Sequence, residues 1–201
     1  MPYSSFTLSK ASRTFHLETV RRQGIFAGIE PVEPSAHLTA TLERNLPFAL
    51  AMGTEKAKSE LIVAHILIEL CLHFADRVSL FSGIDFNVDA TNGLTGVCDF
   101  LVSLSPQAFE LEAPAIILVE AKKDSLTDGL GQCVAEMVAA QRFNADAGND
   151  IRCVYGATTS GMAWLFLKLE GQTLSIDLTV YPIAQCDRIL GILSSMVSQA
   201  A

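Results

Sequence analysis

The feature that most constrains the fold is the run of residues 115–123, which reads Ala-Ile-Ile-Leu-Val-Glu-Ala-Lys-Lys. An apolar run of this length, rich in β-branched residues and preceded by Pro114, predicts a buried strand. Side chains alternate across a strand, so Glu120 and Lys122 share one face with Leu118. The run therefore predicts a strand that ends in two charged groups, at a place where a water-filled cleft meets the sheet.

The segment before this run, residues 97–104, is a second predicted strand, and the short polar connection between the two predicts a hairpin. If the ladder closes symmetrically on that connection, Leu104 faces Ala115 and Asp99 lies opposite Glu120. Directly opposed residues are roughly 5 Å apart at Cβ. The two carboxylates are therefore expected to lie side by side on one face of the sheet.

The expected pair of Asp99 and Glu120 has two interpretations. Two facing carboxylates repel unless a positive charge lies between them, and Mg²⁺ binds proteins through one or two carboxylates together with waters and phosphate oxygens. Alternatively, Lys122 neutralises Glu120 in a salt-bridged patch on a solvated sheet face. The spacing of these residues does not separate a metal site from a structural ion pair.

Length and composition predict a single packed domain. The chain has 201 residues, of which 50% are hydrophobic and 18% charged, so it can bury a sizeable core. It contains no uncharged apolar run of 18 residues, and its first residues lack the pattern of a signal peptide. Five widely spaced cysteines are typical of core residues in a reducing compartment. These features argue against membrane and disulfide-rich secreted classes and predict a cytoplasmic protein.

The charge distribution limits how the chain could bind nucleic acid. The net charge is −8, whereas contacts to phosphate need lysine and arginine. Residues 1–58 hold seven Lys or Arg against five Asp or Glu, and residues 59–201 hold seven against seventeen. An acidic body with a mildly basic N-terminal part can contact a phosphate backbone locally. The distribution excludes a strong, non-specific binder of nucleic acid.

Residues 54–75 predict a long helix that is capped by Thr54 and apolar over most of its surface. Counted at 100° per residue, Glu60 lies with Ala64 and Leu67 on an apolar face. A carboxylate is rarely tolerated on such a face without a partner. Glu60 is therefore a candidate member of a polar site.

The remaining elements follow from periodicity and turn signals. We predict strands over residues 78–89, 152–157, 162–169 and 174–180. We also predict a helix that is capped within residues 124–128 and runs to about residue 145, and a second helix over residues 185–199. Gln132 lies in the first turn of the first of these helices, with Glu136 one turn further along the same face. Residues 1–42 are interpreted as short strands or turns that form an N-terminal accessory segment.

In this order, the candidate residues resemble those of the PD-(D/E)xK nuclease superfamily, over residues 54–169. That family places a glutamate on its first helix, an aspartate and a Glu-x-Lys motif on a hairpin, and a glutamine early in the following helix. The family's hairpin aspartate falls on Asp99, and its Glu-x-Lys motif falls on Glu120 and Lys122. Its first-helix glutamate falls on Glu60, and its second-helix glutamine falls on Gln132.

Two positions depart from the family's pattern. The residue before the hairpin aspartate is Cys98 rather than proline, a difference that is common across such a loose motif. The tyrosine that some exonuclease branches place four residues after the glutamine is Glu136 here, which argues against an exonuclease assignment.

The resemblance implies an α/β fold with a restriction-endonuclease-like three-layer core, in which a central mixed sheet is flanked by helices in the order α-β-β-β-α-β-β. A C-terminal helix over residues 185–199 would be additional to this core, and the whole chain would form one domain.

The resemblance also implies a divalent-metal-dependent nuclease. Glu60, Asp99, Glu120 and the carbonyl of Ala121 would bind Mg²⁺ or Mn²⁺. The substrate would be nucleic acid, with DNA favoured over RNA and no membrane involved, and the apolar C-terminal helix is compatible with a homodimer. Its acidic charge leaves open the alternative of a catalytically inactive binding or assembly module with the same fold.

Overall fold

The computed structural model describes residues 2–75, 77–106 and 109–200. Its helices are α1 (Leu8–Thr14), α2 (Ala36–Met52), α3 (Glu55–Lys58), α4 (Ala64–His73), α5 (Leu130–Asp146) and α6 (Cys186–Ala200). Its strands are β1 (Glu18–Arg22), β2 (Ser79–Asp85), β3 (Val97–Ser103), β4 (Ala115–Ala121), β5 (Cys153–Thr159), β6 (Ala163–Glu170), β7 (Thr173–Asp177) and β8 (Tyr181–Pro182). Short 3₁₀ turns cover Tyr3–Ser5 and Ile183–Gln185.

The strands form one mixed sheet in the order β1-β7-β6-β5-β4-β3-β2, and β8 pairs with β6. Strands β4 and β5 run parallel, as do β1 and β7, while the other neighbours are antiparallel. Helix α5 connects the parallel pair β4 and β5, as a parallel pair requires a crossover. The predicted α/β class, with a central mixed sheet between helices, is confirmed.

Strand β4 lies between β3 and β5 in the interior of the sheet, and all seven of its residues are buried. Ile117 and Val119 belong to the core that α4 and α6 share with the sheet. Leu118 belongs to the core on the other face, beneath α5 and α1. Burial on both faces explains why the strand reads as a continuous apolar run rather than an alternating one. The predicted strand is therefore confirmed, and it belongs to the sheet that forms the middle layer of the fold.

The hairpin of β3 and β4 has the predicted pairing near the candidate site but not near its turn. Phe100 pairs with Val119, so Asp99 lies level with Glu120. A β-bulge after Val102 shifts the register by one residue. As a result Ser103, and not Leu104 as predicted, pairs with Ala115. A symmetric ladder cannot anticipate such an extra residue.

The predicted long helix over residues 54–75 is interrupted. The side chain of Thr54 accepts a hydrogen bond from the amide of Ala57, so the predicted cap is confirmed. A π-helical turn over Ser59–Val63 then separates α3 from α4. Turns of this kind accommodate an extra residue within a helix and often occur at functional sites. Glu60 lies within this turn.

The N-terminal part of the chain is more helical than the sequence predicts. Helix α1 and the 17-residue helix α2 stand where we expected short strands or turns, or assigned no element. Ser35 caps α2, accepting from the amide of Leu38, and Gly53 ends it in the left-handed conformation. Pro47 lies inside α2, which is why the pattern does not predict one continuous helix.

The N-terminal part also packs into both cores of the molecule. Phe6 and Phe15 are buried beside α5, whereas Phe26 is buried with the opposite core. The buried carboxylate of Asp177 accepts hydrogen bonds from the amides of Gly24 and Phe26. These contacts fix the segment to the sheet.

Trp164, the single tryptophan of the sequence, lies on β6 and is fully buried. Its ring stacks on Phe166, with centroids 6.0 Å apart. None of the helices in the described ranges is long and apolar enough to cross a membrane.

Candidate functional site

Glu120 is a buried carboxylate at the end of β4. Its exposed fraction is 1%, and Lys122 donates a hydrogen bond to its Oε1 atom. Its Oε2 atom has no hydrogen-bond partner among the described residues. Burial, followed by the charge of Asp99, raises the pKa of Glu120 to about 8, although Lys122 acts in the opposite direction. The strand thus delivers a carboxyl group whose charged form is unfavourable in this environment.

Asp99 lies beside Glu120, and its Oδ2 atom accepts a hydrogen bond of 2.8 Å from the amide of Ala121. This bond fixes the aspartate to the strand that carries the Glu-x-Lys motif. The structure therefore brings Asp99, Glu120, Ala121 and Lys122 together. Their proximity follows from the hairpin register, as the sequence analysis expects.

Burial alone would lower the pKa of Lys122, but the hydrogen bond to Glu120 and the nearby negative charges raise it above its ordinary value. Among those charges are Glu55 and Asp99 as well as Glu120. A lysine with a raised pKa remains an ammonium ion at neutral pH. Lys122 is therefore suited to stabilise negative charge and poorly suited to accept a proton.

A cavity of about 270 Å³ lies between the π-helical turn and strands β2, β3 and β4. Asp99 and Ala121 line one side, and Glu55 and Glu60 line the other. Glu60 is 61% exposed and pairs with Lys56 at 2.8 Å. Glu60 thus faces the same space as Asp99, but its partner is an exposed lysine one turn earlier. Glu120 is not among the residues that line this cavity.

Gln132 and Glu136 form a pair on α5. The Nε2 atom of Gln132 donates to Oε1 of Glu136 at 3.1 Å. Glu136 is fully buried, and its Oε2 atom has no hydrogen-bond partner within the described part of the chain. Burial, and after it the charge of Glu120, raises the pKa of Glu136 well above its usual value. Gln132 is thus held by a buried carboxyl group.

The start of α5 lies directly against the Glu-x-Lys motif. A Cβ atom at Gly129 would be 3.1 Å from Cγ of Lys122 and 3.2 Å from Cγ of Glu120. It would also be 3.2 Å from Cγ2 of Thr158, which pairs with Glu120 across the β4–β5 ladder. Gly129 is therefore a position where the backbone approaches the site closely.

Sequence reasoning missed Lys58 as part of this region. Its exposed fraction is 9%, and its ammonium group donates to the carbonyl of Lys123 at 2.7 Å. It therefore ties α3 to the backbone directly after the Glu-x-Lys motif. The signal in the sequence is its spacing, because Lys58 precedes the buried Ile62 by four residues and so shares its face.

Sequence reasoning placed Glu136 on the helix face of Gln132 and noted it as a departure from the family's tyrosine, but it assigned no role to Glu136 or to Glu55. The signal for Glu136 is its place in the apolar run of residues 133–140, where a lone carboxylate is unusual. The signal for Glu55 is weak, because an acidic residue in the first turn of a helix is also common for electrostatic reasons.

The donor set of the site consists of hard oxygen atoms. Asp99 and Glu120 supply carboxylates, Ala121 supplies a carbonyl group, and Glu120 keeps one buried oxygen without a hydrogen bond in the described ranges. The described residues contain no cluster of three His, Cys, Asp or Glu side chains arranged to bind a metal. These residues fit a cation such as Mg²⁺, which needs one or two carboxylates and completes its shell with water and phosphate oxygens.

The chain matches no model of a known protein family, and comparisons with curated proteins and with solved structures also find no match.

Proposed function

We propose that this protein is a divalent-metal-dependent nuclease of the PD-(D/E)xK type, with a restriction-endonuclease-like core. The observation that carries the proposal is the position of Asp99 level with Glu120. Lys122 donates a hydrogen bond to Glu120, and Asp99 faces a cavity. The order of helix, three strands, helix and two strands, with β4 parallel to β5, supports the same core.

In this proposal, Asp99, Glu120 and the carbonyl of Ala121 would hold Mg²⁺ or Mn²⁺, with Glu60 across the cavity. Such a cation supplies Lewis acidity, which makes water a better nucleophile and offsets the charge that develops on a phosphate. The amide of Ala121 orients Asp99 through the bond to its Oδ2 atom. The two carboxylates are thus preorganised by the ladder itself.

Lys122 would stabilise the negative charge on the phosphate through its Nζ atom. Its raised pKa keeps that atom protonated at neutral pH, which supports charge stabilisation over proton abstraction. Gln132 would orient the substrate or the attacking water from the start of α5. Its side chain is already held by Glu136, so less freedom is lost when it binds.

We propose nucleic acid as the substrate, with DNA tested first. The net charge of −8 requires that binding depends on a few local cations near the cavity. Lys56 is beside Glu60, and Lys123, which directly follows the Glu-x-Lys motif, is exposed. So few lysine side chains favour contact with only a few consecutive phosphates of the backbone.

The test is cleavage of labelled single-stranded and double-stranded DNA and RNA in Mg²⁺ or Mn²⁺. We expect Asp99→Asn and Glu120→Gln to reduce cleavage by at least 10²-fold while the thermal unfolding transition remains cooperative. Glu170→Gln is the control, because it also removes one carboxylate at a distance from the site. Trp164 is level with Thr159 and Ala121 in the sheet, and Glu170 lies about 20 Å further along β6. Cleavage by both site variants at the rate of the control would remove the assignment.

A second candidate function is a binding or assembly module without catalysis. The observation that favours it is that Lys122 and Gly129 cover the side chain of Glu120, which is only 1% exposed. A module would bind a partner without cleaving any of the four substrates. Mn²⁺ binding that disappears in Glu120→Ala, measured by calorimetry, would support the nuclease over the module.

A further inference from the structure

Glu136 is a fully buried carboxyl group with an incomplete set of hydrogen bonds. It lies on α5, where Cys133 and Met137 pack against β5 at Gly156. It has one hydrogen bond, from Gln132, and its second oxygen has none in the described ranges. Burying a carboxyl group with an unpaired oxygen costs free energy. An apolar side chain of the same size would fill this position at a lower cost.

The position of Glu136 relates it to the Glu-x-Lys motif. Helix α5 begins against the side chains of Glu120 and Thr158, and Gln132 and Glu136 follow on its next turns. The charge of Glu120 acts on Glu136. Each of these two carboxyl groups has a buried Oε2 atom without a hydrogen-bond partner in the described part of the molecule. The Oγ1 atom of Thr158 is likewise buried without a partner there. Glu136, whose burial costs free energy, is thus electrostatically coupled to Glu120, the candidate metal ligand.

We propose that Glu136 is a positioning residue of the cation site, which holds Gln132 and strengthens the binding of a divalent cation by Asp99 and Glu120. The inference rests on the cation-binding part of the proposed function. Residues behind the direct ligands of a metal orient those ligands and raise their basicity. Their replacement typically weakens metal binding 10- to 100-fold.

A structural role and a role toward the cation predict opposite combinations of results. If Glu136 stabilises the fold, its replacement by methionine lowers the melting temperature. If it serves the cation site, Glu136→Met raises the melting temperature in metal-free buffer, because a buried unpaired polar atom is removed, and weakens cation binding. Glu136→Gln keeps an acceptor for Gln132 but cannot ionise, so it separates the hydrogen bond from ionisation of the carboxyl group.

The experiment is calorimetric titration of Mn²⁺ into the full chain, together with thermal unfolding in metal-free buffer. We expect both Glu136 variants to bind Mn²⁺ 10- to 100-fold more weakly than the wild type, with Glu136→Met melting at a higher temperature. Glu170→Gln, the same change of a carboxyl group to an amide at an exposed position on β6, should bind within twofold of the wild type.

Wild-type affinity in both Glu136 variants, or a lower melting temperature for Glu136→Met, would overturn the inference while leaving the proposed nuclease in place. Absence of Mn²⁺ binding by the wild type would instead overturn the cation-binding part of the proposed function, and the inference with it.

Discussion

The carboxyl group of Glu120 couples the stability of the protein to pH. Its pKa is raised from 4.5 to about 8 in the folded chain, so between these values the folded state binds more protons than the unfolded state. Stability therefore falls as pH rises, by up to about 1.4 kcal/mol per pH unit for one retained proton. The raised pKa of Glu136 acts in the same direction.

We expect the free energy of unfolding, measured with urea in metal-free buffer, to fall between pH 5 and about 8. Glu120→Gln, which has no proton to lose, should show a shallower slope. A wild-type stability that stays constant or rises across this range would contradict the environment described for Glu120.

Single residues of the site were predictable where local rules determine their neighbours. Alternation along one strand places Lys122 beside Glu120, and the hairpin ladder places Asp99 level with it. Lys58 and Glu136 were not recognised, because their importance depends on burial by elements that are distant in sequence. The exposed position of Glu60 likewise depends on how the π-helical turn packs against the sheet.

At the scale of elements, β2 carries a bend opposite the candidate site. Gly83 has a positive φ of 62° in the middle of this edge strand and lines the cavity together with Asp99. A Cβ atom there would contact nothing within 4 Å, so a side chain would project into open space. The bend therefore leaves room beside Asp99.

We expect Gly83→Ala to lower cleavage several-fold, because the added methyl group enters the space proposed for the substrate. Gly171→Ala is a matched control, since Gly171 has a similar φ of 56° and equally open surroundings in the β6–β7 turn. Both variants should lose about 1 kcal/mol of stability from the left-handed conformation. Equal activity of the two variants would show that Gly83 is needed only for the bend in β2 and not for access of the substrate to Asp99.

Helix α5 is fixed to β4 by Asn144. Its side chain accepts a hydrogen bond from the amide of Ala115 and donates one to the carbonyl of the same residue. Asn144→Ala leaves both buried main-chain groups unsatisfied, so we expect a loss of about 2–5 kcal/mol in urea unfolding. Gln141→Ala on the same helix removes a hydrogen bond to Gly171 and should cost less than about 1.5 kcal/mol. Comparable losses for the two variants would count against this account of Asn144.

The types of the central elements were predictable, whereas their irregularities were not. Apolar runs and turn signals predict β2 to β7 and the helix α5. The bulge after Val102 and the π-helical turn at Ser59–Val63 each insert one residue, which no periodic rule anticipates. Helix α2 was missed because Pro47 and a weakly segregated apolar pattern obscure its helical period.

At the scale of the whole molecule, the N-terminal segment belongs to the core. Tyr3, Phe6 and Phe15 are buried, and a Cβ atom at Gly131 would be 2.2 Å from the carbonyl oxygen of Phe6. The segment thus lies directly on the first turn of α5, which carries Gln132. The described N-terminal residues act as a support for the candidate site.

We expect deletion of residues 1–16 to remove most of the stability of the chain. Burial of each large aromatic or aliphatic side chain contributes about 1.5–3 kcal/mol, whereas whole domains are stable by about 5–15 kcal/mol. Thermal unfolding of the shortened chain is the measurement. A melting temperature within a few degrees of that of the full chain would mean that the segment is a true accessory.

The burial of Trp164 gives the molecule a built-in optical reporter. Its indole ring is fully buried and lies against Phe166, so its fluorescence should resemble that of tryptophan in an apolar solvent. Water reaches the ring only when the sheet opens, and the emission should then shift to longer wavelength. Because the sequence contains no other tryptophan, that shift would follow the opening of the central sheet without labelling.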